Sequence, residues 1–131
     1  MNDYILMLED DGDDRYFTKS ALEELGLNVP VKFALFSSSL INEITINNPL
    51  LIILGYNVYP ANHTEILKKI RSHRSLAHIP VVMLTEDVSA AMVREYYASG
   101  ANSVIKKPST VDATRAKVQT FFNYWLNVAE L

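Results

Sequence analysis

The chain has 131 residues, no cysteine and a formal net charge of −3, with 49% hydrophobic and 21% charged residues. That length and apolar content suit one core-forming domain filling 1–131 and exclude a disordered chain. The acidic balance offers no footprint for nucleic acid or an anionic membrane surface. The lack of cysteine excludes disulfides and thiolate metal sites. No apolar run reaches the roughly 18 residues of a membrane span, and the start Met1-Asn2-Asp3-Tyr4 lacks the basic region of a signal peptide. A soluble, cytoplasmic domain is expected.

Short apolar runs alternate with amphipathic stretches. Tyr4 to Leu8 reads as a strand. Asp13 to Leu25 places Phe17, Ala21, Leu22 and Leu25 at helical spacing, and Gly26 supplies a stop. Val31 to Leu35 is a weaker second strand. Ser39 to Asn47 is a short helix with Leu40, Ile41, Ile44 and Ile46 on its inward side. Leu50 to Leu54 is a third strand, apolar throughout. Thr64 to Arg71 is a helix carrying Ile66, Leu67 and Ile70. Pro80 introduces the strand Val81 to Leu84. Ser89 to Ser99 is a helix closed by Gly100. Ser103 to Lys106 is a fifth strand, and the longest helix runs from Thr110 to about Val128.

Five strand–helix units with continuous rather than alternating strand hydrophobicity predict a parallel sheet covered on both faces. Right-handed crossovers then give a doubly wound α/β fold. In such folds the working site lies beyond the carboxyl ends of the strands. There the first strand ends in Glu9-Asp10-Asp11, the third in Gly55-Tyr56-Asn57, the fourth in Thr85-Glu86-Asp87 and the fifth in Lys106-Lys107-Pro108. Carboxylates at a strand end suit a hard cation such as Mg²⁺. A hydroxyl and an ammonium suit phosphoryl oxygens.

That set, in that order, resembles the receiver domain of two-component response regulators, over essentially the whole chain. The resemblance rests on Ile5 to Arg15, on Ile79-Pro80-Val81-Val82-Met83-Leu84-Thr85 and on Gly100 to Pro108. It implies a five-stranded flavodoxin-like fold of strand order 2-1-3-4-5. It implies Glu9 and Asp10 at metal-binding positions, Thr85 as the switch hydroxyl and Lys107 as the site lysine. Glu65 to Arg71 resembles the family's third helix. Counting back from it puts the phosphoacceptor position at Gly55; counting from Pro60 puts it at Tyr56. Gly55 is preferred, because strand and helix then align without a gap. Neither position is an aspartate. Asn57 falls where the family uses a backbone carbonyl as a metal ligand. Val104 stands where the family often has a switch aromatic, and Glu86 where it usually has a small residue that leaves phosphate access.

These departures predict a receiver-like module that signals through protein contacts, is not an enzyme, and binds Mg²⁺ weakly or not at all at a vestigial Glu9, Asp10 and Asn57 site. The alternative is a Mg²⁺-dependent phosphotransfer receiver, or a small phosphatase, using another acceptor. Asp11 and Asp13 have phosphatase spacing but lack a second acidic cluster. A plain scaffold with a relic site is a third possibility. Expected partners are signalling proteins, such as a histidine kinase or another regulator. Lys107 is expected to pair with Glu9, Asp10 or Glu86, while Asp13 and Asp14 read as a solvated helix start. His63, His73 and His78 read as surface residues. On the last helix Val111, Val118, Phe122, Trp125, Leu126 and Ala129 form the expected core stripe. Phe121, Tyr124 and Val128 widen it, which points to a homodimer or partner surface over 89–99, 103–106 and 110–128.

Overall fold

The computed structural model describes residues 3–9, 11–55, 62–86 and 88–131. Strands and helices alternate: β1 Ile5–Leu8, α1 Gly12–Glu24, β2 Val31–Ala34, α2 Ser38–Ile46, β3 Leu51–Leu54, α3 His63–Ser72, β4 Val81–Thr85, α4 Ala90–Ser99, β5 Ser103–Lys106 and α5 Val111–Asn123. A π-helical turn, Tyr124–Val128, follows α5. All strand pairs are parallel, in the order β2-β1-β3-β4-β5. The expected doubly wound fold is therefore the one observed.

The continuous hydrophobicity of the central strands has a simple cause. Successive side chains point to opposite faces, and both faces are buried. Leu6, Leu8, Ile52, Leu54, Val81 and Met83 pack with Leu40, Ile44, Ile66, Leu67 and Ile70 from α2 and α3. Ile5, Met7, Leu51, Ile53, Val82 and Leu84 pack with Ala21, Leu22, Val118, Phe121 and Phe122 from α1 and α5. Each such fully buried Leu or Ile contributes about 1.5–3 kcal/mol. β2 and β5, at the sheet edges, are only partly buried.

The helix starts are set by side-chain caps. Asp11, Ser37, Asn62, Ser89 and Thr110 each accept a backbone N–H from the first turn of α1 to α5 respectively, satisfying donors that a helix leaves unpaired. Gly100 ends α4 at φ 120°, where a side chain would be strained, and its Cα faces Arg71.

Several expectations need correction. Ile46 is 83% exposed rather than inward, because it is the last residue of α2 and lies beyond the sheet's cover. Val111 opens α5 and is 57% exposed. Phe121, placed on the surplus flank, is instead a core residue, so the buried arc is Thr114, Val118, Phe121 and Phe122. The last helix is not α-helical to Val128. After Asn123 it widens, and the Ala129 N–H reaches back five residues to Tyr124 O at 2.7 Å.

Candidate functional site

The sheet register brings the candidate residues together. Leu8 pairs with Leu54, and Thr85 with Lys106, so the residues that follow these strands share one edge. Glu9 N–H donates to Ala34 O at 3.2 Å, Gly55 N–H to Leu8 O at 2.9 Å, and Lys107 N–H to Thr85 O at 2.6 Å. Each strand is thus tied to its neighbour one residue past its end. Asp10, Tyr56 and Asn57 lie outside the described residues.

Glu9 is buried. Its Oε1 accepts the Asp11 N–H at 3.2 Å. Its backbone carbonyl accepts Arg15 Nε and Nη2 at 2.8 and 2.5 Å, and Arg15 in turn covers the Phe33 ring. The Glu9 carboxylate lies against Gly55. A β-carbon built on Gly55 would run into Oε2 and sit 2.7 Å from Cδ and 3.0 Å from Cβ.

Gly55 is also held from the other side. Its carbonyl accepts His63 Nε2 at 2.7 Å, which places the ring proton on Nε2. The imidazole packs on Tyr96 with centroids 5.7 Å apart. Burial lowers the His63 pKa from its ordinary 6.5, and the hydrogen bond to Gly55 opposes part of that fall. His63 is therefore a site-edge residue rather than a surface one. The signal was legible, since His63, Ile66, Leu67 and Ile70 follow the spacing of one helical face.

At this edge Lys107 is held by two carboxylates. Its Nζ donates to Asp14 Oδ1 at 2.9 Å and lies 3.4 Å from Glu86 Oε1. The expected pairing with Glu86 is present, but the closer partner is Asp14. Asp14 is 3% exposed and not part of a solvated helix start. It heads the buried stripe Asp14, Thr18, Ala21, Leu22 of α1, and that spacing was its signal. Asp13 is exposed, as expected, and Asp11 caps the helix. Desolvation pulls the Lys107 pKa down, but the hydrogen bonds and charges of Asp14 and then Glu86 push it up further. The net result lies above the ordinary 10.5.

Thr85 is buried, with its hydroxyl donating to Ile105 O at 3.3 Å. Val104 is half-buried and packs against the core cluster that includes Tyr96. Its N–H donates to the Tyr97 hydroxyl at 3.0 Å. A groove of about 740 Å³ opens beside Lys107, lined by Glu86, Lys106, Pro108, Ser109 and Lys117.

A divalent cation would need several oxygen donors in one place. Among the described residues Glu9 is the one expected ligand present, and no three His, Asp or Glu groups come together. Asp14 and Glu86 are turned to Lys107. The described donors alone do not make such a centre.

The family model described as the response regulator receiver domain matches residues 5–119. The chain is 30% identical to the transcriptional regulatory protein CrdR of Helicobacter pylori, over 94% of this chain and 56% of CrdR. It is 24% identical to the probable methanogenesis regulatory protein FilR2 of Methanothrix harundinacea, over 93% of this chain and 83% of that protein. The structure of a response regulator from Hahella chejuensis superimposes with a TM-score of 0.89 at 27% identity, covering 99% of both chains. This chain belongs to the response regulator receiver domain family. It is a receiver domain of the kind found in two-component signalling, and no described helix is long and apolar enough to cross a membrane.

Proposed function

We propose that this receiver works without an aspartyl phosphate at the end of β3, and passes its signal on through protein contacts. The observation that carries this reading is Gly55. It is buried, follows the last residue of β3, and lies beside the strand-end carboxylate of β1. This is the position the resemblance gives to the acceptor, and glycine has no side chain to attack phosphorus. The site lysine supports the reading as well. A lysine meant for phosphoryl oxygens would need a site that leaves it available, and Lys107 is engaged by Asp14 and Glu86. Tyr56, the other candidate position, would need an adjacent general base to act as a nucleophile.

On this reading residues 1–131 form one cytoplasmic module. Glu9, Asp10 and Asn57 are a vestigial Mg²⁺ site, and Thr85 keeps the switch position with Val104 in place of the switch aromatic. Partners are a histidine kinase or another regulator. The contact surface is the face of α4, β5 and α5, where Tyr97 and Tyr124 are each about half exposed.

The direct test is intact-mass measurement after incubation with acetyl phosphate and Mg²⁺. No stoichiometric phosphoryl adduct is expected on the wild type. A stable added phosphoryl mass would overturn the reading.

A further inference from the structure

Gly55 is not required by its backbone. Among the described residues positive φ is found at Gly26 and Gly100, and Gly55 has a conformation open to any L-residue. What excludes a side chain there is space. The Glu9 carboxylate fills the volume into which a β-carbon would project, with Oε2, Cδ and Cβ all inside ordinary contact distance. Glu9 has little room to withdraw. It is buried, its Oε1 is bonded to the Asp11 N–H, its backbone N–H is tied to Ala34 O of β2, and its carbonyl is held by Arg15.

We infer that Glu9 and Gly55 are a size-matched pair, in which Glu9 occupies the acceptor's place and closes the site a second time. The inference rests on reading Gly55 as the acceptor position and goes beyond it. Loss of the aspartate alone would leave an open, repairable site, whereas a filled one cannot be repaired at position 55 alone. Shortening Glu9 by one methylene withdraws the carboxylate from Gly55 while keeping its charge.

Two measurements on the full chain test this. The first is a double-mutant cycle on the unfolding midpoint with Gly55→Ala and Glu9→Ala. Gly55→Ala, which adds only the β-carbon, should lower the midpoint markedly in the wild type. It should lower it much less when Glu9→Ala is present. The second is phosphoryl uptake from acetyl phosphate with Mg²⁺, comparing Gly55→Asp with the pair Glu9→Asp/Gly55→Asp. In a competent variant the introduced carboxylate oxygen attacks phosphorus, the bond from phosphorus to the acetyl oxygen breaks, and acetate leaves with the electron pair. The single variant should take up at least tenfold less phosphoryl group than the pair.

Independent midpoint effects in the cycle would overturn the size match. So would equal uptake by Gly55→Asp with and without Glu9→Asp. Failure of both variants to accept phosphate would show that Glu9 is not what closes the site. Uptake by the wild type is a different result. It would remove the reading of Gly55 as an absent acceptor, while the stability cycle would still decide whether Glu9 and Gly55 are matched.

Discussion

At the scale of single residues, the site edge is built from groups that neutralise one another. Lys107 stands between Asp14 and Glu86, and the closer partner is the buried one. A buried carboxylate is tolerated when it is paired and hydrogen-bonded, so Lys107 and Asp14 each justify the other's position. The contribution of Lys107 is fully present below its ordinary 10.5 and is lost as pH rises through its raised value. His63 behaves in the opposite sense. Its pKa is lowered, so below about 6.5 the unfolded chain binds a proton that the folded chain resists. Stability from His63 is therefore complete above that pH and falls as pH drops through the depressed value. We predict that His63→Gln, which retains a donor for the Gly55 carbonyl but does not titrate, flattens the stability profile between about pH 7 and pH 5. Urea unfolding across that range checks it. Parallel profiles for variant and wild type would mean that His63 carries none of the acid sensitivity.

At the scale of elements, the far ends of the helices are joined by one side chain. Arg71, near the end of α3, donates to Gly100 O at 2.9 and 2.8 Å, to Ile79 O at 2.8 Å, to Ala77 O at 3.1 Å and to Asn102 Oδ1 at 2.6 Å. Asn102 Oδ1 also accepts the Val81 N–H at 2.8 Å. The guanidinium thus fastens α3, the entry to β4 and the turn between α4 and β5. We predict that Arg71→Ala costs about 2–4 kcal/mol, since several carbonyls lose their donor together. Arg71→Lys should recover little, because an ammonium lacks the planar fork that reaches them all. A loss below about 0.5 kcal/mol in denaturant titration would show that water replaces these bonds. Arg71 also marks the limit of what sequence pattern conveys. Strand order, the helices and the strand-end set Glu9, Thr85 and Lys107 were legible, because periodicity and strand-end position are local properties. The reach of Arg71 across 29 residues to Gly100 was not. Nor was the pairing of Lys107 with Asp14, which joins the residue after β5 to the first turn of α1 across 93 residues. Asp14 and His63 could have been found by extending each helix's apolar stripe by one turn. The packing of Glu9 against Gly55 could not, because it is set by the spacing of two neighbouring strands.

At the scale of the whole molecule, what remains outside is the question of association. The β5 edge of the sheet is not an invitation to another strand. On β5 the outward Val104 N–H is taken by the Tyr97 hydroxyl, and the outward Lys106 carbonyl by Lys117 Nζ at 2.8 Å. Side chains thereby occupy groups that an added strand would use. On this side of the molecule, side chains of the helices are what is left to meet a partner. With Phe121 in the core, the exposed apolar surplus near the end of the last helix falls to Tyr124, 50% exposed, and Val128. Tyr124 leans edge-on against Trp125, with centroids 5.1 Å apart, so its ring is braced where it meets solvent. A braced aromatic loses little conformational entropy on binding, which is why such residues anchor interfaces. We predict that the wild type associates reversibly as its concentration is raised to high micromolar. Tyr124→Lys should keep it monomeric without shifting the unfolding midpoint, since the ring contributes to a surface and not to the core. Sedimentation velocity across a concentration series, with thermal unfolding of both proteins, reads each part. A wild type that sediments as a monomer throughout would eliminate the homodimer. A variant that unfolds at a distinctly lower temperature would show that Tyr124 holds the π-helical turn in place.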